Sequence, residues 1–267
     1  MAGQTIRFDD GASYERMMGT WSRIAGEIFL EWIAPRPDLR WIDIGCGNGA
    51  FTELLVDRCA PAEVEGIDPS EGQLAFARTR PAARRASFHR GDAMALPYPA
   101  DRFDAAVMAL VIVFVPDPAR SVDEMVRVVR PGGMVATYVW DMLGGGFPLE
   151  PILAEMRAIG LTPPNPPQNG ASRLDALRDL WTGAGLERVE TREIVVQRTF
   201  ADFDDFWTTN LMSATVGPAI AALDAATVRT LEERVRARLP AGAGGRIAHG
   251  ARAHAIAGYR PQRSAPR

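Results

Sequence analysis

The strongest constraint on the fold is the stretch 41–51, which reads Trp-Ile-Asp-Ile-Gly-Cys-Gly-Asn-Gly-Ala-Phe. A short apolar run reaches Asp43, glycines follow at every second position, and apolar residues then resume at helical spacing. This order predicts a strand, a tight turn and a helix. Glycine accepts positive φ angles and has no Cβ, so the turn can bend sharply beside the free N–H groups of a helix N-terminus. The stretch therefore predicts a binding site for a small polar ligand.

The pattern D-x-G-x-G-x-G at Asp43, Gly45, Gly47 and Gly49 resembles motif I of the class I S-adenosylmethionine-dependent methyltransferases. In that family the turn passes close to the methionyl part of the cofactor, and the acid at the position of Asp43 helps to hold the site. The same loop also fits the dinucleotide fingerprint G-x-G-x-x-G/A through Gly45, Gly47 and Ala50. The loop alone leaves both interpretations open.

A second acid follows the next predicted strand, residues 64–67. Asp68 stands where Rossmann-like folds place acids that accept hydrogen bonds from ribose hydroxyls. The alternative is a helix cap, because a Ser-x-x-Gln capping box begins at Ser70. We assign ligand binding to Asp68 and capping to Ser70.

The chain beyond this point favours the methyltransferase interpretation. Asp92 follows predicted strand three and resembles the methyltransferase residue that hydrogen-bonds the adenine amino group, a signature that dinucleotide enzymes lack. The run from 103 to 141 also resembles the methyltransferase core. It is predicted to contain a buried strand at 103–109, a helix at 121–130 ended by the run Arg-Pro-Gly-Gly, and strand five at 134–140.

The resemblance implies S-adenosylmethionine as cofactor and S-adenosylhomocysteine as product. It places the chain in the small-molecule branch that includes the ubiquinone and menaquinone methyltransferases. The implied cofactor-binding residues are Tyr14, Asp43, Gly45, Cys46, Gly47, Asn48, Gly49, Asp68, Pro69, Ser70, Gln73, Asp92, Ala93, Met94 and Ala109.

An amphipathic helix is predicted for residues 11–34, where apolar residues recur on one side until Pro35 and Pro37 end it. Its start is similar to the N-terminal helix that lies over the cofactor in small-molecule methyltransferases. Tyr14 and Trp21 fit either ligand contact or core packing.

The second half of the chain is predicted to contain a helix at 174–184, closed by Gly185, and another at 203–212. A long amphipathic helix is marked by Leu223 to Leu239. Strands are predicted at 186–200 and 247–259. A shorter helix carries Ile152, Leu153, Met156 and Ile159. The predicted fold is α/β: a Rossmann-like seven-stranded sheet, mostly parallel with the last strand antiparallel, helices on both faces, and a helical lid inserted between strands six and seven, as in the resembled family.

We predict a single methyltransferase domain over 1–267. Its parts are an N-terminal helical cover (11–34), a cofactor-binding core (35–141), a loop with helices (142–185), strand six (186–200), the helical lid (201–245) and the last strand (246–261).

Composition is that of an ordinary globular protein, with 47% hydrophobic and 24% charged residues and a net charge of −3. No apolar run approaches the roughly 20 residues that span a bilayer, and the first ten residues lack the apolar core of a signal peptide. We therefore predict a cytoplasmic protein, monomer or homodimer, with a small-molecule substrate and no membrane, nucleic-acid or metal partner.

Cys46 and Cys59 are the only cysteines and are too few for a disulfide framework, so we expect reduced thiols. The chain contains no lysine, which excludes lysine-based chemistry. One basic cluster is interpreted as a solvated helix end and loop and not as a polyanion site; it contains Arg78, Arg80, Arg84, Arg85, His89 and Arg90.

Methyl transfer from a sulfonium can be catalysed largely by aligning the nucleophile and excluding water. A hydroxyl or acidic carbon acceptor would still need a proton acceptor, for which the candidates are His249, His254 and Asp141. The two histidines, five positions apart on one predicted strand, should point to opposite faces. The candidate substrate-pocket residues are Trp21, Trp140, Phe206, Trp207 and Met212.

Two other functions compete with the enzyme. A regulator that binds S-adenosylmethionine without turnover would be favoured by a pocket plugged by Phe147, Phe206 or Trp207. A nicotinamide-dependent oxidoreductase is disfavoured by Asp92 and by the C-terminal helical insertion.

Overall fold

Seven strands form the centre of the computed structural model, which describes residues 15–262. They are β1 (Arg40–Ile44), β2 (Glu63–Asp68), β3 (Ser87–Arg90), β4 (Phe103–Ala109), β5 (Val129–Trp140), β6 (Glu187–Phe200) and β7 (Ile247–Tyr259). They make one sheet in the order β3-β2-β1-β4-β5-β7-β6. Tyr14 and the start of the predicted N-terminal cover lie outside the described residues.

The sheet is parallel from β3 to β5, and β7 runs antiparallel to both of its neighbours, β5 and β6. The predicted seven-stranded, mostly parallel sheet with an antiparallel last strand is confirmed. Parallel strands direct their carboxyl ends to one edge, so the turns after β1, β2, β3 and β4 meet there.

Nine α-helices accompany the sheet within residues 15–262. They are α1 (Thr20–Ile33), α2 (Ala50–Cys59), α3 (Glu71–Ala77), α4 (Pro118–Val128), α5 (Glu150–Ala158), α6 (Leu174–Gly183), α7 (Phe203–Leu211), α8 (Val216–Ala221) and α9 (Ala225–Arg238). A π-helical segment, Glu15–Gly19, leads directly into α1. The helices α7, α8 and α9 form the insertion between β6 and β7.

Each face of the sheet has its own apolar core. On one face, α1 and α2 pack Phe29 and Phe51 against Tyr138 of β5, with ring centroids 4.8 and 5.7 Å away. On the other face, Trp181 of α6 is fully buried and donates its indole N–H to the Val135 carbonyl at 2.9 Å. The two cores leave the carboxyl edge of the sheet as the place where loops can form a site.

The structure corrects the predicted boundary between α4 and β5. The helix ends at Val128 and the strand begins at Val129, five residues before the predicted start at Met134. The Pro-Gly-Gly run does not stop the strand, because the Gly132 N–H donates to the Arg260 carbonyl and the Arg260 N–H donates to the Gly133 carbonyl, both at 2.9 Å.

The short helix α8 was not predicted from the sequence, since Gly217 and Pro218 both occur inside it. None of the helices within residues 15–262 is long and apolar enough to cross a membrane.

Candidate cofactor site

The glycine turn after β1 is held by one carbonyl of the neighbouring strand. The N–H groups of Gly45 and Cys46 donate to the Ile67 carbonyl at 2.7 and 3.1 Å. Gly45 and Gly47 have φ angles of +71° and +52°. A Cβ at Gly45 would lie 2.6 Å from a Val111 methyl carbon, whereas a Cβ at Gly47 would meet no atom within 4 Å. Packing therefore requires Gly45, and Gly47 faces open space above the turn.

Asp68 joins the turns that follow β1 and β2. Its carboxylate accepts hydrogen bonds from the Gly47 N–H at 2.9 Å and from the Ser70 N–H at 2.8 Å. Burial raises the pKa of Asp68, while these two backbone hydrogen bonds lower it. Ser70 caps α3, because its Oγ accepts from the Gln73 N–H. Asp68 thus faces the glycine turn, and the helix-capping role belongs to Ser70, as predicted.

Asp43 lies beneath the turn and is fully buried. The Thr52 hydroxyl donates to Asp43 Oδ2 at 2.7 Å, and Oδ1 has no hydrogen-bond partner within residues 15–262. Burial raises the pKa of Asp43 to about 7, against the Thr52 hydrogen bond and with a smaller contribution from Asp68. Asp43 is therefore placed to support the turn from inside the fold.

The adenine-side candidates lie at the ends of β3 and β4. Asp92 is exposed and its Oδ1 accepts from the Met94 N–H at 2.8 Å. The Arg120 side chain fixes the same loop by donating to the Met94 carbonyl at 2.9 Å. Ala93 and Ala109 are both half-buried. A carboxylate has several lone-pair sites, so Asp92 can accept a further hydrogen bond.

The remaining predicted cofactor residues fall on the turn and on the start of α3. Cys46 is buried, which raises the pKa of its thiol, so it is not an activated nucleophile. Asn48 and Gln73 are buried and Pro69 is exposed. Apart from Tyr14, the structure brings all the predicted cofactor residues to the carboxyl-end region of β1 to β4: most lie in the turns, Asp43, Asp68 and Ala109 in the strands, and Gln73 in the first turn of α3.

Sequence reasoning missed Arg80, which was grouped with solvated arginines. Its side chain is only 12% exposed. It donates to the Asn48 carbonyl at 2.6 Å, to Glu53 of α2 at 2.8 Å and to Glu15 of the π-helical segment. Nothing in the local sequence separates it from Arg78, because its partners come from two distant parts of the chain, residues 48–53 and Glu15.

The aromatic candidates for a substrate pocket all pack into the apolar core on one face of the sheet. Trp21 and Phe206 are fully buried, and the His249 ring makes edge-to-face contacts with both, at centroid distances of 5.7 and 6.1 Å. Trp207 stacks on Phe203 at 6.1 Å. Trp140 is buried at the end of β5, while Met212 after α7 is 38% exposed.

The two histidines of β7 face opposite sides of the sheet, as predicted. His249 shares the Trp21 side, and its Nε2 lies 3.1 Å from the Pro148 carbonyl oxygen. Burial lowers the pKa of His249, opposed by its bond to Pro148. His254 lies on the other side, with Nδ1 2.7 Å from the Ser172 carbonyl oxygen.

Asp141 is engaged in an ion pair. Arg252 donates to its Oδ2 at 2.6 and 3.1 Å, and the Gly144 N–H donates to Oδ1 at 2.7 Å. Burial raises the pKa of Asp141, but the Arg252 and Gly144 hydrogen bonds outweigh it and leave the pKa below its usual value. Within residues 15–262, no group of three or more His, Cys, Asp or Glu side chains could hold a metal ion.

The segment that contains the glycine turn is similar to known proteins. A methyltransferase domain family matches residues 42–137. A 2-phytyl-1,4-naphtoquinone methyltransferase of Synechococcus elongatus is 33% identical over 147 residues, which cover 53% of this chain and 59% of that protein. A malonyl-[acyl-carrier protein] O-methyltransferase of Methylococcus capsulatus is 34% identical over 57% of this chain and 51% of its own length. The chain thus spans less than two thirds of these curated relatives.

A solved structure reproduces the fold over nearly the whole chain. Phosphoethanolamine N-methyltransferase 2 of Haemonchus contortus, in complex with S-adenosyl-L-methionine, superimposes with a TM-score of 0.59. The match covers 97% of this chain and 59% of that one at 18% identity, so it speaks for the fold alone. Residues 42–137 therefore match a methyltransferase domain family, and the seven-stranded sheet that contains them has the fold of this solved methyltransferase.

Proposed function

We propose that the chain binds S-adenosylmethionine over the glycine turn and transfers its methyl group to a small-molecule acceptor. The observation that carries this proposal is the open space at Gly47, beside a buried Asp68 carboxylate, inside the segment that the methyltransferase domain family matches. The turn can approach a ligand without a side chain between them.

The residues at this edge fit the parts of the cofactor. The backbone of the glycine turn would hold the methionyl part, Asp68 would accept from the ribose hydroxyls, and Asp92 would accept from the adenine amino group. The cofactor supplies an electrophilic methyl group on a sulfonium. The protein's own contribution is then to orient the acceptor and exclude water around that group.

His249 is the best placed proton acceptor among the three candidates. With Nε2 donating to the Pro148 carbonyl, the neutral ring keeps its Nδ1 lone pair, and a lowered pKa keeps the ring neutral at physiological pH. Asp141 is engaged by Arg252, and His254 lies on the opposite face of the sheet. We therefore propose His249 as the general base for acceptors that lose a proton.

The acceptor is proposed to be an apolar aromatic small molecule. The support is the set of aromatic side chains on the His249 side of the sheet, together with the quinone named in the Synechococcus relative. The Methylococcus relative acts on a different acceptor, so the chemistry of the acceptor needs a direct assay.

A regulator that binds the cofactor without turnover remains the second candidate because of one observation. Phe206 fills the lid interior, with its ring 5.1 Å from Phe200 and 6.1 Å from both Phe203 and His249. This packing is the plugged arrangement that would suit a regulator. An enzyme with this packing would need a lid that opens to admit the acceptor.

Titration calorimetry tests the proposal. We expect heat of binding with S-adenosylmethionine and S-adenosylhomocysteine and none with NAD. Heat with NAD alone would overturn the assignment. Release of S-adenosylhomocysteine on adding phenols or quinols then separates the enzyme from the regulator, because a regulator binds the cofactor without turnover.

A further inference from the structure

The π-helical segment Glu15–Gly19 is fastened to both sides of the candidate site. At its start, Glu15 Oε2 accepts from the Asn48 side-chain amide at 3.0 Å and from Arg80. Near its middle, the Met17 carbonyl accepts from Arg198 of β6 at 2.9 Å. Met17 and Met18 are buried, and the segment contacts the lid helix α7. The segment therefore bridges the glycine turn and the lid.

Arg80 connects this bridge to the turn itself. Its guanidinium donates hydrogen bonds to the Asn48 carbonyl of the turn, to Glu53 of α2 and to Glu15 of the segment. A planar guanidinium presents five N–H donors in a rigid fork, so one side chain can hold all three acceptors. The ion pair to Glu15 is also partly shielded, with side-chain exposures of 12% for Arg80 and 40% for Glu15.

Gly19 leaves room for this arrangement. A Cβ at Gly19 would lie 2.8 Å from Glu15 Oε1 and 2.9 Å from its Cδ. Its backbone is helical, with φ −55° and ψ −44°, so alanine is compatible with the backbone there. Alanine would displace only the end of the flexible Glu15 side chain.

We propose that Arg80 and Glu15 are positioning residues that make cofactor affinity depend on the docked N-terminal segment. Arg80 holds the Asn48 carbonyl in the turn and holds Glu15 above it, so the turn has its cofactor-binding shape when the segment is in place. Binding at the turn and docking of the segment then favour each other. This inference rests on the proposed cofactor site.

The first test is a double-mutant cycle measured by calorimetric titration with S-adenosylhomocysteine. Arg80→Met and Glu15→Gln should each weaken binding by about tenfold, in the usual range of coupling between sites. The double variant should bind no more weakly than Arg80→Met alone, because both changes break one contact. Arg84→Met is the matched control, since Arg84 is exposed in the same cluster, and it should bind as the unmodified protein does.

Gly19→Ala keeps the test decisive if Arg80→Met fails to fold. It leaves Arg80 bound to Asn48 and Glu53 and should weaken binding while the unfolding temperature of the ligand-free protein does not fall. Hydrogen exchange in residues 15–19 should slow on adding S-adenosylhomocysteine to the unmodified protein, but not to Gly19→Ala.

Two results overturn different claims. If the unmodified protein binds S-adenosylhomocysteine and both Gly19→Ala and Glu15→Gln bind equally well, the positioning role is wrong and the proposed function stands. If the unmodified protein does not bind at all, the proposed function falls, and this inference falls with it.

Discussion

Asp68 is the residue on which cofactor affinity should depend most directly. Its carboxylate braces Gly47 and faces the space above the turn. Asp68→Ala should weaken S-adenosylhomocysteine binding by about 1–3 kcal/mol, the usual cost of leaving hydrogen-bonding groups unpaired in a site. Calorimetry measures this, with Asp57→Ala, exposed on α2, as control. An affinity unchanged by Asp68→Ala would limit Asp68 to bracing the backbone.

Asp43 should make stability depend on pH. Its pKa is raised from 3.8 to about 7, so the folded protein binds a proton between these values that the unfolded chain releases. This contribution is fully present below about pH 4 and is lost as pH rises through 7, a loss of about 4 kcal/mol.

Asp43→Asn removes that proton and keeps an acceptor for Thr52. The free energy of unfolding, measured by urea titration from pH 4 to 8, should fall less steeply with pH in Asp43→Asn than in the unmodified protein. Asp57→Asn should keep the original slope. Equal slopes in all three proteins would show that Asp43 titrates normally.

Asp68 and Asp43 could be found in the sequence because they are the last and the next-to-last residue of a strand, where the local pattern fixes their position. Arg80 could not, because its partners Glu15, Asn48 and Glu53 come together only in the folded chain. His249 was a candidate from the sequence, but its contacts with Trp21 of α1 and Phe206 of α7 could not be predicted, because they too form only in the folded chain.

At the scale of elements, hydrophobic periodicity located β4 and β7 without error and most other strands to within a residue or two. It misplaced the start of β5, because a Pro-Gly-Gly run ends most strands, and here pairing with Arg260 carries the strand through it. It also missed the π-helical segment, since its five residues make only about one turn and cannot show a periodicity.

The lid helices should be more mobile than the sheet when no ligand is bound. We predict that residues 141–170 and 201–245 cover the mouth of the cofactor site and gain hydrogen-exchange protection when S-adenosylhomocysteine and acceptor are added together. Protection there should rise more than in β1 to β5. Exchange as slow as in the sheet without ligand would mean a fixed scaffold.

Glu155 of α5 should control how firmly α9 is held in that lid. It is buried and accepts from Arg234 at 2.7 Å and from Arg238 at 2.8 Å. Glu155→Gln should speed exchange in α9, because an amide replaces a carboxylate that holds two cations. Glu232→Gln, which loses one exposed pair with Arg236, should change exchange little. Equal effects of the two changes would contradict this role.

At the scale of the whole molecule, β7 joins the parallel strands to β6. Ala255 is fully buried on β7 and pairs with Tyr138 of β5 and Arg192 of β6, whereas Ala248 on the same strand is exposed. Ala255→Glu should abolish cooperative thermal unfolding near neutral pH, because it buries an unpaired carboxylate. Ala248→Glu should melt as the unmodified protein does. A cooperative transition in Ala255→Glu at the normal temperature would mean that β7 is not needed.

The antiparallel last strand was predicted from the family resemblance, whereas no strand order was predicted. Apolar spacing identifies strands but carries no information on which neighbour each one pairs with, and nothing in 247–259 distinguishes an inner strand from an edge strand.

The position of β7 also governs when the sheet can be completed. It is the last strand in chain order but lies between β5 and β6, so both wait with an open edge until the end of the domain has been synthesised. Pairings between such distant segments form slowly, and open edges invite pairing with other chains. A chaperone would therefore protect the nascent chain from such pairing most in the interval between the synthesis of β5 and that of β7.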